Sequence, residues 1–170
     1  MTTTITGAGG VSQVQDGSIG TADFATNAIT AVQMPAGSVL QVVSTKYVSA
    51  HTINSTSFQT TNLELAITPS STSSKVLIMI TASVGGDDFT NAYLYGGIFR
   101  NSTELFEMLG QRENHDSALG GGMSMTYLDS PSTTSSTTYK FMGRASNGVM
   151  DFRLNFADGQ STITLMEIAG

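Results

Sequence analysis

The fold of this chain is decided by Leu-Glu-Leu-Ala-Ile-Thr-Pro-Ser-Ser-Thr-Ser-Ser-Lys-Val-Leu-Ile-Met-Ile-Thr-Ala-Ser-Val, residues 63–84. Its first five residues alternate in the way that is typical of a half-buried strand. In residues 76–84 one face is apolar throughout, and Leu77 and Met79 make the opposite face apolar as well. A strand that is apolar on both faces is usually central in a sheet or lies at a subunit contact. Pro69 and its hydroxylated neighbours interrupt the ladder, so the stretch predicts two strands joined by a loop.

The composition limits the classes of function that the chain can serve. Its 170 residues suffice for one domain with an appendage, and 39% of them are hydrophobic, so a core can form. Only 12% are charged, about half the roughly 25% of ordinary soluble proteins. The net charge of -6 argues against a nucleic-acid partner, because too few cations are present to neutralise phosphates.

Other classes are excluded by what the sequence lacks. The chain has no cysteine, which excludes a disulfide scaffold, a thiolate zinc site and a cysteine nucleophile. The N-terminus does not have the pattern of a signal peptide. No run approaches the ~20 apolar residues that a membrane-spanning helix needs, so we expect no membrane insertion.

Residues 1–36 differ from the rest and predict an extended attachment segment, or stem. After a Thr- and Gly-rich start, apolar side chains recur at every fifth position: Val14, Ile19, Phe24, Ile29 and Met34. Neither a strand nor a helix places such residues on one face, whereas an irregular extended segment could present each of them to neighbouring chains. The alternative is a chance spacing in a linker of small residues.

Residues 37–170 predict the folded head. About eight to nine short strands follow one another with turn signals at regular spacing and no convincing helix. Asn147-Gly148 and Asp158-Gly159 resemble hairpin turns on either side of a strand over 149–156, and Gly120-Gly121-Gly122 resembles a flexible return. Residues 51–57 are read as a polar connection. The spacing favours an all-β, antiparallel, jelly-roll-like β-sandwich of about eight strands.

Several pieces of the sequence resemble small phage virion proteins, namely the C-terminal β domains of tail-fibre-like proteins. They are Gly-Ser-Ile-Gly-Thr-Ala-Asp-Phe-Ala-Thr-Asn-Ala-Ile-Thr (17–30), Pro-Ala-Gly-Ser-Val-Leu-Gln-Val-Val-Ser-Thr (35–45), Ile-Thr-Pro-Ser-Ser-Thr-Ser-Ser-Lys-Val-Leu-Ile (67–78), Ser-Pro-Ser-Thr-Thr-Ser-Ser-Thr-Thr-Tyr (130–139) and Ser-Thr-Ile-Thr-Leu-Met-Glu-Ile-Ala-Gly (161–170). The resemblance implies a homotrimer with an N-terminal attachment segment and an outward β domain. The chain departs from the family in having no long shaft between the two.

The sequence offers no arrangement that predicts catalysis. Its loop carboxylates are better explained as turn formers than as the paired acids of a glycan hydrolase, and no serine has the surroundings of a nucleophile elbow. Asp87, Asp88 and Asn91 do not match a calcium loop, and His115 has no second histidine at ligand spacing. We therefore expect a protein that is not an enzyme and has no metal or cofactor.

Binding is the remaining function, and a polar loop is its candidate site. The segment 110–119 carries hydrogen-bonding side chains suited to sugar hydroxyls or a polar protein surface, although a merely solvated loop is equally consistent. They are Gln111, Arg112, Glu113, Asn114, His115 and Asp116. The sequence thus predicts a trimeric virion appendage that binds a host surface glycan or protein. A capsid or tail decoration protein, which joins neighbouring virion subunits, is the alternative, and a glycan depolymerase is a third class.

Overall fold

The computed structural model describes residues 33–86, 92–113, 119–147 and 152–170. The chain divides into two units, Met1–Met34 and Pro35–Gly170, and the predicted boundary between residues 36 and 37 lies two residues later. The described part contains ten strands and no α-helix. They are β1 (Val39–Tyr47), β2 (His51–Ile53), β3 (Gln59–Ile67), β4 (Lys75–Gly86), β5 (Ala92–Arg100), β6 (Thr103–Glu113), β7 (Leu119–Asp129), β8 (Thr137–Ala145), β9 (Phe152–Leu154) and β10 (Ser161–Ile168).

The strands form two antiparallel sheets. The first contains β1, β10, β4, β9, β2 and β7, and the second has the order β3-β8-β5-β6. In the first sheet β9 and β10 both pair with the same side of β4, end to end, and β2 and β1 pair with them in turn. Each sheet therefore has four rows of strands.

The order of these rows defines the fold. In chain order the first row (β1 with β2) pairs with the eighth (β9 with β10), the second (β3) with the seventh (β8), the third (β4) with the sixth (β7) and the fourth (β5) with the fifth (β6). One long hairpin rolled into two facing sheets has this pairing, which is the jelly roll. The predicted all-β, jelly-roll-like sandwich is thus confirmed.

Alternating side chains from the two sheets form the core. β4 contributes Val76, Ile78 and Ile80, and β8 contributes Tyr139 and Phe141, all of them buried. The rings of Phe141 and Phe152, from opposite sheets, lie 6.0 Å apart. Burial of this kind stabilises by about 25 cal/mol per Å² of apolar surface, which explains why the period-2 pattern was readable in the sequence.

The strand predicted to be apolar on both faces has the central position. β4 pairs with β7 on one side and with β10 and β9 on the other. Leu77 and Met79 point away from the core; Leu77 is half-buried and Met79 is exposed. The central position alone does not explain why these two outward side chains are apolar.

The prediction of a flexible return at Gly120–Gly122 is wrong. β7 begins at Leu119, and Gly120 pairs with Gly85 in a regular ladder. A Cβ atom built on Gly120 would lie 2.5 Å from the ring of Phe156. Glycine at this position makes room for an aromatic ring and does not mark a hinge.

The predicted strand over 149–156 and its closing hairpin are also wrong. β9 ends at Leu154, because Asn155, Ala157 and Asp158 have φ angles of 55°, 50° and 62°, which no strand accommodates. Asp158-Gly159 ends a short 3-10 turn, and β9 and β10 lie end to end along β4 and do not pair.

Three smaller differences concern the second sheet and its connections. β8 and β9 lie in different sheets, so the turn predicted at Asn147-Gly148 joins no hairpin; Gly148 itself lies outside the described residues. The predicted polar connection at residues 51–57 contains β2. Met142, expected in the core with Met123 and Met125, is half-buried, whereas the other two are buried.

Candidate interaction surfaces

The two ends of the sandwich have different roles, which follow from the pairing. At the end called here the entry end, Gly37 N–H donates to Ala169 O at 2.7 Å, and Ser73 Oγ–H donates to Gly170 O at 3.4 Å. The head's first residues, its C-terminus and the connections 68–74, 101–102 and 130–136 therefore lie together. A turn over Pro35–Ser38 starts the head, with the Ser38 N–H donating to Pro35 O at 3.1 Å. Gly37, at φ 88°, occupies the position of that turn where only glycine is free of strain.

The opposite end, called here the loop end, carries the other connections. The pairs Gly86–Leu119 and Ala92–Glu113 place the flanks of the 87–91 and 114–118 segments beside each other. The connection 54–58 joins them, because Ala145 N–H donates to Ser55 O at 2.9 Å near the end of β8. Loops on a rigid sandwich are a usual place for recognition.

The structure places part of the predicted recognition loop in a strand. Gln111, Arg112 and Glu113 belong to β6, where they pair with Leu94, Tyr93 and Ala92. Asn114, His115 and Asp116 lie outside the described residues. The strand reaches the loop end at Glu113, so the predicted site is adjacent to that end, and its binding role stays a prediction.

The predicted stem residues are described only at their last member. Met34 is exposed immediately before the Pro35–Ser38 turn. Val14, Ile19, Phe24 and Ile29 lie outside the described residues, so their role as an attachment segment stays a prediction.

Near the loop end lies a pair of open, mainly polar depressions. One, of about 450 Å³, is lined by residues of β2, the following connection and β3, among them His51, Asn54, Ser55, Gln59 and Thr60. Thr52 also lines the second, of about 270 Å³, together with Arg153 and Asp158. Sequence analysis missed this surface because residues 51–60 read as an ordinary connection; the cluster of polar side chains there was the only signal.

Asn155 holds the wall between the two depressions. Its Nδ2 atom donates to Tyr47 O and Ser49 O, both at 2.9 Å, and its Oδ1 atom accepts from Ser161 Oγ at 2.6 Å. These bonds fix the turn between β1 and β2. The left-handed backbone of Asn155 is thus offset by three side-chain hydrogen bonds, and asparagine is a residue that tolerates this conformation.

The outer face of the second sheet is covered by its own side chains. The guanidinium of Arg144 lies 3.9 Å from the ring centroid of Tyr95 and 5.2 Å from that of Phe58, and it forms an ion pair with Glu107. Phe58 in turn packs edge-on against Phe99 at 5.2 Å. Since a cation already covers the Tyr95 ring, this cluster is not an open aromatic platform.

The outer face of the first sheet is different, because it carries an apolar row with nothing packed on it. Val42 pairs with Met166, Met166 with Leu77, and Leu77 with Leu128, so one side chain from each of the four rows lies at the same level. Val42 is 54% exposed and Leu128 49%, while the two central residues are half-buried. We call these four residues the apolar row. Met79 extends it along β4.

Charge is nearly absent from this face. On β1, β10, β4 and β7 the outward positions around the apolar row bear mostly hydroxyls, and the charged side chains among them are Lys46 and Lys75. The carboxylates of these four strands, Asp129 and Glu167, are buried. Depletion of charge around apolar side chains is the compositional signature of an interface core.

Both buried carboxylates have structural partners. Glu167 accepts hydrogen bonds from Ser70 N–H, Ser70 Oγ and Gln41 Nε2, each at 2.6 Å, and so joins the 68–74 loop to β1. Burial acts to raise the pKa of Glu167, but the hydrogen bonds, chiefly those from Ser70 and Gln41, lower it below its ordinary value of 4.5. Asp129 accepts from Arg100 Nη1 and from Tyr139 Oη.

The described residues offer little for metal or membrane chemistry. No group of three or more His, Asp or Glu side chains within them is placed to hold a metal ion. No helix in the described part is long and apolar enough to cross a bilayer. Burial and the Asp129 carboxylate raise the pKa of Tyr139, which keeps its hydroxyl protonated as a donor.

The fold and its surfaces define a jelly-roll β-sandwich with one polar end and one apolar outer face. No protein-family model and no curated protein matches the sequence. Among solved structures, the chain is similar to one described as "Structure of infectious bursal disease virus Gx strain", with a TM-score of 0.33 and 12% identity over 81% of this chain. The chain spans 37% of that chain's length. A likeness at this level carries no argument about function.

Proposed function

We propose that this chain is a structural protein of a phage virion, a homotrimeric tail-fibre-like appendage. Residues 1–36 attach it to other virion proteins, and the β head binds a host-surface glycan or protein without catalysis. The proposal draws on the sequence resemblance to phage tail-fibre-like proteins, because the fold by itself hosts many functions.

One observation carries the proposal: the head has opposite ends for attachment and recognition. The head begins at Pro35, at the entry end, beside the C-terminus. The connections 87–91 and 114–118, together with the polar depressions, belong to the loop end. β4 alone has 12 residues, so the two ends are separated by about 40 Å of strand. An appendage fixed through its first residues would therefore turn the loop end away from the virion.

The loop end suits a neutral, polar ligand. The larger depression offers amide, hydroxyl and imidazole groups from Asn54, Gln59, Ser55 and His51, which hydrogen-bond well to sugar hydroxyls. The His51 ring is held in place by Asn62, whose Nδ2 atom lies 3.2 Å from His51 Nδ1. Its open shape suits contact with an extended surface better than enclosure of a small molecule.

Attachment is tested by replacing one apolar side chain of the stem. In Phe24→Asp a charge replaces a side chain that the proposal buries, at a cost of several kcal/mol per chain. We expect the protein to disappear from purified virions, as measured by immunoblot, while the circular-dichroism melting curve of the head is unchanged. Asn27→Asp, which lies between the five-residue steps, is the matched control and should be incorporated. Normal incorporation of Phe24→Asp would refute the stem.

Recognition is tested with the same purified chain on host cells. Gln59→Ala together with Asn54→Ala should weaken binding of labelled protein and its competition with phage adsorption, because both side chains line the depression. Leu109→Ala, on the outer face of the second sheet, is the control and should bind normally. Release of reducing ends or a fall in polysaccharide viscosity on mixing would contradict binding without catalysis.

A second candidate is a capsid or tail decoration protein that joins neighbouring virion subunits. The uncharged outer face of the first sheet favours it, because that face would suit a contact with another virion protein. Immunogold labelling of virions separates the two candidates. Label at the tail tip supports the appendage, and label distributed over capsomers supports decoration.

A further inference from the structure

The geometry points to a threefold contact in which three copies of this chain cover the apolar row of one another around a common axis. This inference rests on the homotrimer proposed above and names the surface that forms it. It commits to a second and third copy of this chain as the occupants of the face.

The area of the face matches what a stable assembly needs. Four rows at about 4.8 Å spacing are roughly 19 Å wide, and strands of 11 to 12 residues are about 37 Å long. The face therefore covers roughly 700 Å², close to the ~800 Å² that each partner buries in a standard interface. A smaller ligand would leave part of the apolar row in water.

The width of the face fits a triangular arrangement. Three flat faces about 19 Å wide, set as the walls of a triangular prism, each lie about 5.5 Å from the axis. Sheets pack about 10 Å apart, so a sheet requires about 5 Å for its own side chains. The side chains of three faces would thus fill the space around the axis without a channel.

The exposure along the apolar row distinguishes a threefold from a twofold arrangement. Two twisted sheets packed face to face cross at about 30°, so they touch best at the centre and diverge at the corners. Here the central Met166 and Leu77 are the less exposed members, and Val42 and Leu128, at the two edges, are the more exposed. In the prism each edge meets the edge of the next copy, so Val42 of one chain lies near Leu128 of its neighbour and the row closes into a belt.

The charges on the face are consistent with this arrangement. Lys75 pairs with Ile168 at the entry end of the sheet, and Lys46 pairs with Thr162 four residues along β1 from Val42. Neither lysine belongs to the belt, and its members carry no polar atom except the Met166 thioether. The neighbouring level carries Ser44 and Thr164, whose hydroxyl oxygens lie 2.8 Å apart and satisfy each other.

The test is the mass of the full chain in solution by light scattering, for the natural sequence and for matched variants. The natural chain should have a mass of about 53 kDa, three times the 17.8 kDa of one chain. Leu128→Asp should reduce the mass threefold. Leu109→Asp is the matched control, because Leu109 is also 49% exposed but pairs with Tyr95 on the outer face of the second sheet; it should keep the mass of three chains.

Val42→Asp, at the other edge of the row, should reproduce the effect of Leu128→Asp. Both residues are exposed, so unchanged circular dichroism and melting of the single chain show that each variant folds. A natural chain of one or two subunits overturns the inference, as does a Leu128→Asp variant that keeps three. The last result would leave the virion role standing and place the threefold contact elsewhere. Loss of host binding or of virion incorporation in a chain whose apolar row assembles as expected would instead count against the proposed function alone.

Discussion

Asp129 joins the two sheets at the entry end, and its removal gives the sharpest test of how the head is held together. The carboxylate is 6% exposed on β7 of the first sheet and receives donors from two strands of the second. Arg100 Nη1, on β5, lies 2.9 Å from both carboxylate oxygens, and Tyr139 Oη, on β8, lies 2.7 Å from Oδ2.

The cost of Asp129→Ala can be worked from these contacts. The Tyr139 hydroxyl, on a fully buried residue, would lose the acceptor it has, at about 1 to 3 kcal/mol. Arg100 would lose its ion pair, but its side chain is 28% exposed and water can replace the carboxylate, so the low end of the 3 to 5 kcal/mol range for broken buried pairs applies. We expect a loss of about 3 kcal/mol, or roughly 6 to 12 °C in melting temperature.

A double-mutant cycle measured by urea unfolding checks this reasoning. Tyr139→Phe leaves the ion pair intact and should cost about 1 kcal/mol. Asp129→Ala with Tyr139→Phe should cost about 2 to 3 kcal/mol, because no buried hydroxyl is then left without a partner, so the coupling energy is at least about 1 kcal/mol. The control is Glu64→Ala, whose 3.5 Å ion pair with Lys140 is exposed; its effect should stay within about 0.5 kcal/mol. A double variant that equals the sum of the single ones, or a loss below about 1 kcal/mol for Asp129→Ala, would refute the shared network.

Two further predictions concern pH and close packing. Because the pKa of Glu167 is lowered in the fold, its contribution is fully present above 4.5 and is lost as the pH falls through the folded pKa. The stability difference between the natural chain and Glu167→Gln, measured by urea unfolding, should therefore narrow on going from pH 7 to pH 3; widening would contradict the assignment. Gly143→Ala should cost about 1 to 3 kcal/mol, since its Cβ would lie 2.5 Å from the buried Phe152 ring. Gly122→Ala, with nothing within 4 Å, is its control in thermal melts, and equal effects of the two would show that the close approach has no energetic consequence.

The sequence by itself determined that the head is an antiparallel β-sandwich and which strand is central. Period-2 alternation reports burial directly, because a one-residue slip would move every apolar side chain to the wrong face. Residues 76–84 could therefore be read correctly, as could the loop after Ile67 with its proline. Local turn signals were less reliable: Asp158-Gly159 and Gly120–Gly122 have turn-forming composition, but one ends a 3-10 turn and the other lies within β7.

Only the tertiary structure decided which surfaces are available for partners. Val42, Met166, Leu77 and Leu128 are up to 124 residues apart in the sequence, and strand pairing alone brings them to one level. The same holds for the polar depression, whose residues belong to two strands and the connection between them. Periodicity within a segment records which side chains face the core, but the neighbours of an outward side chain depend on the order of the strands. That order is set by the folding of distant segments against each other and leaves no local pattern in the sequence.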